Sequence, residues 1–320
     1  MRKHLMLHTG ILGLCILPFI GTAHAADPVT FSGLFLAQNE QFRFSVEAGY
    51  LTARANEYVY EEGRTVSRLI WDINAAATIT ARAEMNMTPR WRLSGSATVG
   101  IDHSNFMADY DWLTPSPDWS HRSVHWDTQL DHYVALDLGA SYAAWQINRT
   151  TLNILGGLRY TDFQLSSYGG SFVYTTEDGE FRGDSLSFAD GQAVITYRQR
   201  LPALYGGLGA SRQIGSVHFD AGILGGVTLW PRDKDHHWLR SLKFKDEFKR
   251  SPYLALQMRA SVPVSDNGEA FLSARYEKYF RMEGDTHILD TRTGESSFSH
   301  DSAGASLQTL NIGVGLRFRF

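Results

Sequence analysis

Residues 67–87 alternate between apolar and polar side chains for 21 positions. Leu69, Trp71, Ile73, Ala75, Ala77, Ile79, Ala81, Ala83, Met85 and Met87 fall on one face of an extended chain, with Arg68, Asp72, Asn74, Arg82, Glu84 and Asn86 among the other. A period of two belongs to a β-strand with one oily and one wet face. Strands of soluble proteins usually stop within about ten residues. At ~3.3 Å per residue this segment reaches roughly 70 Å, whereas a strand tilted by ~45° crosses a ~30 Å hydrocarbon layer in about 40 Å. The segment therefore predicts a strand that spans a membrane and stands well above it.

The N-terminus agrees with a membrane outside the cytoplasm. Arg2 and Lys3 precede an apolar run from Ile11 to Ile20, and Ala23-His-Ala25 supplies the small residues of a cleavage site. Residues 1–25 are expected to be an export signal, with the mature chain starting at Ala26. The apolar run falls short of the ~20 residues of a spanning helix, and no later stretch approaches ~18 apolar residues. Export without a spanning helix leaves a soluble secreted fold or an outer-membrane β-barrel. The single cysteine, Cys15, lies inside the signal, so the mature chain is expected to use neither disulfides nor thiol chemistry. A net charge of -4 with scattered basic residues gives no footprint for nucleic acid.

The same alternation marks residues 42–52, 91–102, 134–144, 152–160, 204–212, 217–229, 254–264, 270–276 and 310–320, which makes ten strands with the first. The expected fold is all-β, a ten-stranded antiparallel transmembrane β-barrel with long extracellular loops. An even number of strands can close on itself and leave no edge unpaired in lipid. The connections alternate as well. Residues 88–90, 146–149, 213–216 and 265–268 are short and turn-like, while 56–65, 103–131, 169–188, 232–249 and 284–304 are long. In an antiparallel barrel all the long connections emerge on one rim.

Two acidic clusters, Asp109-Tyr-Asp111-Trp112 and Asp233-Lys-Asp235-His-His237, lie in the second and fourth long connections. They are expected on the same rim, roughly opposite each other. Carboxylates beside an imidazole can take a proton from water, which makes hydrolysis accessible without a nucleophilic serine. His237, His236, His121 and the carboxylates could instead ligate a divalent cation, but no helical His-Glu-x-x-His arrangement supports that alternative.

In order and spacing, Glu57-Tyr-Val-Tyr60, Arg64-Thr-Val-Ser-Arg-Leu-Ile-Trp71, Asp109-Tyr-Asp-Trp112, Asp127-Thr-Gln-Leu130, Tyr197-Arg-Gln-Arg200, Asp233-Lys-Asp-His-His237 and Gly313-Val-Gly-Leu-Arg-Phe-Arg-Phe320 resemble the omptin family of Gram-negative outer-membrane endopeptidases. The resemblance implies that Asp109 and Asp111 form one catalytic couple and Asp235 and His237 the other, with a water between them. It implies that Glu57 and Asp233 form the pocket for a basic side chain, so that polypeptides are cut after Arg or Lys, often between paired basic residues. It implies no metal and no cofactor, with lipopolysaccharide as an activator bound on the outer wall at Arg200. Two positions depart from the pattern: His121 stands where an acidic residue receives a second basic side chain, and Asp162 where a lipid-binding arginine is expected. The implied home is the outer membrane, with the site facing outward.

Other classes remain to be weighed. A catalytically silent adhesin or recognition barrel would not need the Asp and His couples, and a lipid hydrolase would need a serine and histidine on the lipid-facing wall. Glu47, Arg43, Arg82 and Glu84 are expected to point inward and form a packed polar interior, since ten strands enclose too little space for an open channel. Trp91, Trp145 and Tyr205 are expected to belong to an interfacial aromatic belt.

Overall fold

The computed structural model describes residues 41–320. The expected export signal and the start at Ala26 lie outside the described residues. Every regular element among them is a strand: β1 (Phe42–Glu61), β2 (Arg64–Asn86), β3 (Trp91–Asp111), β4 (His121–Ile147), β5 (Thr150–Tyr168), β6 (Ser171–Tyr174), β7 (Asp184–Ser187), β8 (Ala193–Ile214), β9 (Val217–Thr228), β10 (Arg232–His237), β11 (Leu242–Phe248), β12 (Pro252–Pro263), β13 (Gly268–Asp290) and β14 (Ser296–Arg319). Ten of them close a ring of antiparallel ladders, β1-β2-β3-β4-β5-β8-β9-β12-β13-β14, and β14 pairs back onto β1. These ten match the ten segments expected from the alternation, four of which run one residue past the strand's end. Closure satisfies the backbone of every wall strand from its neighbours, which a membrane demands.

The long connections are mostly not loops. Residues 56–65 continue as β1 and β2 and turn through Glu62 and Gly63, both at positive φ, so that Glu61 pairs with Arg64. Two left-handed residues suit the twist of a tight hairpin. Beyond Thr228, the chain re-enters the wall as the β10–β11 hairpin, with β10 on β8 and β11 on β13. It stands directly above β9 and β12 in the ring. Above the lipid both faces of a strand can be polar, so alternation disappears although the ladder continues.

The long β2 segment corrects a second expectation, that its apolar residues share one face. Leu69, Trp71 and Ile73 are buried inside the barrel, with Trp71 at 0% exposure, whereas Ile79 faces outward at 59%. The ladder with β1 shifts between Leu51–Ala76 and Ala53–Ile73, a bulge that exchanges the faces. Below it the outer solvent is lipid and apolar side chains point out; above it the outer solvent is water and they point in. Ile79, Val99, Leu138, Leu158, Leu208, Ile223, Met258 and Val314 form the outward apolar band. Trp91 and Trp145 are exposed on the outside as an interfacial belt requires. Tyr205 is instead buried, lies over Gly139 and Gly157 and donates to Asp137 Oδ1 at 2.9 Å. A Cβ on Gly157 would meet its hydroxyl at 2.5 Å.

The interior has two storeys. An apolar core that includes Leu51, Trp71, Met107, Phe163, Leu165, Tyr197, Phe248, Tyr279 and Leu307 fills the barrel beneath the tall rim. Lower down, Arg159 pairs with Glu277 at 2.6 Å and Arg275 approaches the same carboxylate at 3.2 Å. Toward the short turns, Arg43, Glu47, Arg82 and Glu84 do point inward, but they line a cavity of about 480 Å³ rather than filling it. Small residues such as Ser94, Ser96, Ser141, Gly209, Ser211 and Ala221 face this part of the lumen and leave it unfilled.

Candidate active site

Asp109 and Asp111 end β3, while Asp233, Asp235 and His237 occupy alternate positions of β10, so period two aims each set at the barrel axis. From β3 the ring passes through β4 and β5 to β8, which carries β10, so the two sets stand nearly opposite each other. His237 Nε2 lies 2.6 Å from Asp235 Oδ2, and the Asp235 side chain is 1% exposed. Since a carboxylate only accepts, this nitrogen carries the proton and Nδ1 keeps the lone pair. Burial pulls the His237 pKa down, but the charge and hydrogen bond of Asp235, together with Asp109 across the cleft, bring it above the usual value.

Asp109 feels the opposite balance. Burial and Asp111 push its carboxyl up to about 8, against His237 and a 3.3 Å hydrogen bond from the Ser67 hydroxyl. Asp111 is also raised, by burial, with Ser67, His121 and His237 opposing. The two couples are therefore near enough to set each other's protonation, and their site can hold and exchange protons near neutral pH. Ser67 was not singled out in the sequence. It lies opposite Asp111 on β2, a position that only strand register reveals.

Glu57 on β1 and Asp233 on β10 are 5% and 2% exposed. Glu57 is held well above the carboxylate range by burial, then by Asp235, Asp233, Asp246 and Asp109. Asp233 is raised by burial and Asp246, although the Tyr197 hydroxyl donates to its Oδ2 at 2.8 Å. Tyr197 is stacked on Trp71 with ring centroids 5.5 Å apart, which stiffens this wall. Asp246 on β11 is directly opposite Asp233 and is 5% exposed. The sequence reading missed it, yet a signal exists: Leu242, Phe244, Asp246 and Phe248 alternate, so a carboxylate shares a face with apolar residues.

The remaining candidates separate clearly. His236 points to the other face of β10 and stacks on Trp238 at 3.8 Å, away from His237. His121 lies opposite Asp111 in the ladder, takes a 2.9 Å hydrogen bond with Ser120 Oγ and packs on Tyr174. Ser123, opposite Asp109, bonds His125 Nε2 at 2.8 Å, while His125 Nδ1 donates to the Gly169 carbonyl at 2.6 Å. This serine–histidine pair is enclosed under Phe188 and ties β4 to the chain after β5. Among the described residues, no three His, Cys, Asp or Glu side chains are grouped to hold a metal ion.

Arg200 faces outward on β8, just above Leu158 and Leu204 of the apolar band. It lies 3.6 Å from Asp162, which is its ladder partner on β5. Arg198 grips the same carboxylate through two hydrogen bonds of 2.8 and 2.7 Å, and His132 and Tyr160 add two more at 3.2 and 3.1 Å. Burial raises the Asp162 pKa, but those bonds hold it down at about 2. Arg198 and Arg200 are thus already engaged by a carboxylate on the same outer face.

The sequence model described as the Omptin family matches residues 38–320. The chain is 28% identical over 324 residues to a plasminogen activator of Yersinia pestis, across 98% of this chain and 100% of that protein. It is 27% identical over 326 residues to protease 7 of Escherichia coli K12, across 97% and 99% of the two. The crystal structure of the outer membrane protease OmpT from Escherichia coli superposes with a TM-score of 0.81 at 25% identity, covering 88% of this chain and 97% of that one.

Proposed function

Because this chain belongs to the omptin family and is an outer-membrane peptidase, we propose that it hydrolyses peptide bonds with a water held between Asp109/Asp111 and Asp235/His237. The observation that carries this reading is the His237–Asp235 hydrogen bond, which leaves Nδ1 as the nitrogen with the lone pair on an imidazole that also feels Asp109. Water lying between the couples would lose a proton to Nδ1 as its oxygen attacks the peptide carbonyl. Asp235 stabilises the imidazolium that forms, as a buried carboxylate does for other catalytic histidines. Asp109, supported by Asp111 and Ser67, holds the water from the opposite side. Collapse of the tetrahedral intermediate returns the proton from His237 to the departing amine.

Glu57 and Asp233 would receive the basic side chain before the scissile bond, so cleavage follows Arg or Lys. A neutral side chain would leave buried carboxylates without donors, which penalises it as much as attraction favours a cation. His121, beside Asp111, offers no fixed anion to a second basic residue, which loosens the preference after the cut. The tall ends of the strands face the outside of the cell and the short turns the periplasm, following the asymmetry of such barrels. Lipopolysaccharide would act on the outer wall near Arg200.

The test is cleavage of a peptide library by purified protein reconstituted with lipopolysaccharide. His237→Ala and Asp109→Asn should each lower kcat by at least ~100-fold, the scale of removing a positioned acid-base group, while His236→Ala changes little. Equal damage from both histidine substitutions would overturn the assignment of the base. Folded protein that cleaves nothing would favour a recognition barrel instead.

A further inference from the structure

We propose that Asp246 is a specificity-determining residue, a third carboxylate of the basic side-chain pocket. The inference rests on the pocket assignment of Glu57 and Asp233 above. Its first support is position. Asp246 is the ladder partner of Asp233, its side chain is on the same inward face, and both are at least nine-tenths buried. The second support is a deficit of donors. Glu57 Oε2, Asp233 Oδ1, Asp246 Oδ1 and Gln199 Oε1 are all buried without a hydrogen-bond partner among the described residues.

These atoms belong to one neighbourhood. Gln199 Nε2 donates to the Tyr197 hydroxyl at 2.6 Å, Tyr197 donates to Asp233, and Glu57 is raised by both Asp233 and Asp246. Buried acceptors with no donor opposite them suit a ligand that brings donors. An ammonium has three donors around a point charge, whereas a guanidinium has five in a planar fork matched to carboxylates. Arg is accordingly preferred to Lys, and Asp246 contributes to the difference.

Proton balance follows from the same geometry. Asp233 and Asp246 face each other across the ladder, and burial raises both carboxyls. Burial brings Asp246 to about 6, with Thr286 and Asp233 offsetting part of the rise. An incoming cation favours the ionised carboxylates, so a proton leaves to solvent as the side chain enters. Binding of basic substrates therefore tightens as pH rises through the neutral range.

The test compares wild type with Asp246→Asn and Asp246→Ser, and with Asp233→Asn as the control on the pocket itself. Each is given peptides that differ only in Arg, Lys or norleucine before the scissile bond, at several pH values. Both Asp246 variants should lose about 10–100-fold in kcat/KM for Arg, the scale of a charge-assisted hydrogen bond. The loss should lie mostly in KM and fall more weakly on Lys, whereas norleucine cleavage should rise, since one buried carboxylate fewer is left without a donor; tryptophan fluorescence of the refolded variants reports an intact fold. The pH dependence of KM for the Arg peptide should flatten. An unchanged Arg-to-norleucine ratio in both Asp246 variants, while Asp233→Asn collapses it, would overturn the role of Asp246 and leave the pocket standing. An unchanged ratio in all three would overturn the pocket reading itself. A fall in kcat at constant KM would also refute the proposal, by placing Asp246 in the chemistry.

Discussion

Replacing Asp235 by Asn keeps the shape of the carboxylate that touches His237 and removes its charge. The 2.6 Å contact is a charge-assisted hydrogen bond in a nearly closed site, and such a bond contributes about 1.5–3 kcal/mol. At 1.36 kcal/mol per pH unit, its loss moves the histidine down by about one to two units. The direction is set by what remains: without Asp235, burial is the largest influence on His237, and it opposes the charged ring. On the proposed mechanism the unprotonated ring is the base, so the acid limb of the kcat/KM profile should move to lower pH in Asp235→Asn. The plateau should drop at the same time. If the amide oxygen faces Nε2–H, only charge stabilisation is lost and kcat falls about 10- to 100-fold. If the amide nitrogen faces the ring, the proton shifts to Nδ1 and the base loses its lone pair, a fault that costs ~10⁴-fold in serine-protease triads. The assay is a pH series of peptide cleavage by wild type and variant in the same lipid. An acid limb that stays in place, or moves upward, would refute the assignment of His237 as the base poised by Asp235.

Three further outcomes are expected. Cleavage of an Arg-Arg peptide should survive EDTA; abolition by chelation with rescue by zinc would show that a metal activates the water. Stimulation by lipopolysaccharide should be weaker than if Arg198 and Arg200 were free, because Asp162 already engages them, and Asp162→Ala should strengthen it. Complete inactivity of detergent-refolded wild type without lipid, with tight saturable rescue, would refute that account. Arg159→Met should destabilise the barrel, by less than the about 3–5 kcal/mol of stranding a buried charge outright, because Glu277 keeps its contact with Arg275. Urea unfolding followed by tryptophan fluorescence checks it, and an unchanged midpoint would show that the lumen rehydrates the carboxylate.

Much of this protein is legible in one dimension because a membrane imposes a simple rule on a strand. Lipid outside and polar groups inside force a period of two, so Phe44, Val46 and Ala48, or Leu310, Ile312 and Val314, announce their strands and their outward face. Alternating short and long connections then place Asp109 and Asp235 on one rim before any coordinate is known. The rule lapses above the lipid. There water bathes the outer wall and the core lies inside, so the bulge below Ile73 reverses the meaning of the pattern, and the polar residues of β10 and β11 continue a ladder that composition disguises as loop. The capture of Asp162 by Arg198 depends on which strands are neighbours, as does the contact of Asp246 with Asp233. Burial, register and the distance between charges on different strands are properties of the closed barrel. They decided which carboxylates are shut away from water and which imidazole nitrogen is free, and no single strand carries that information in its sequence.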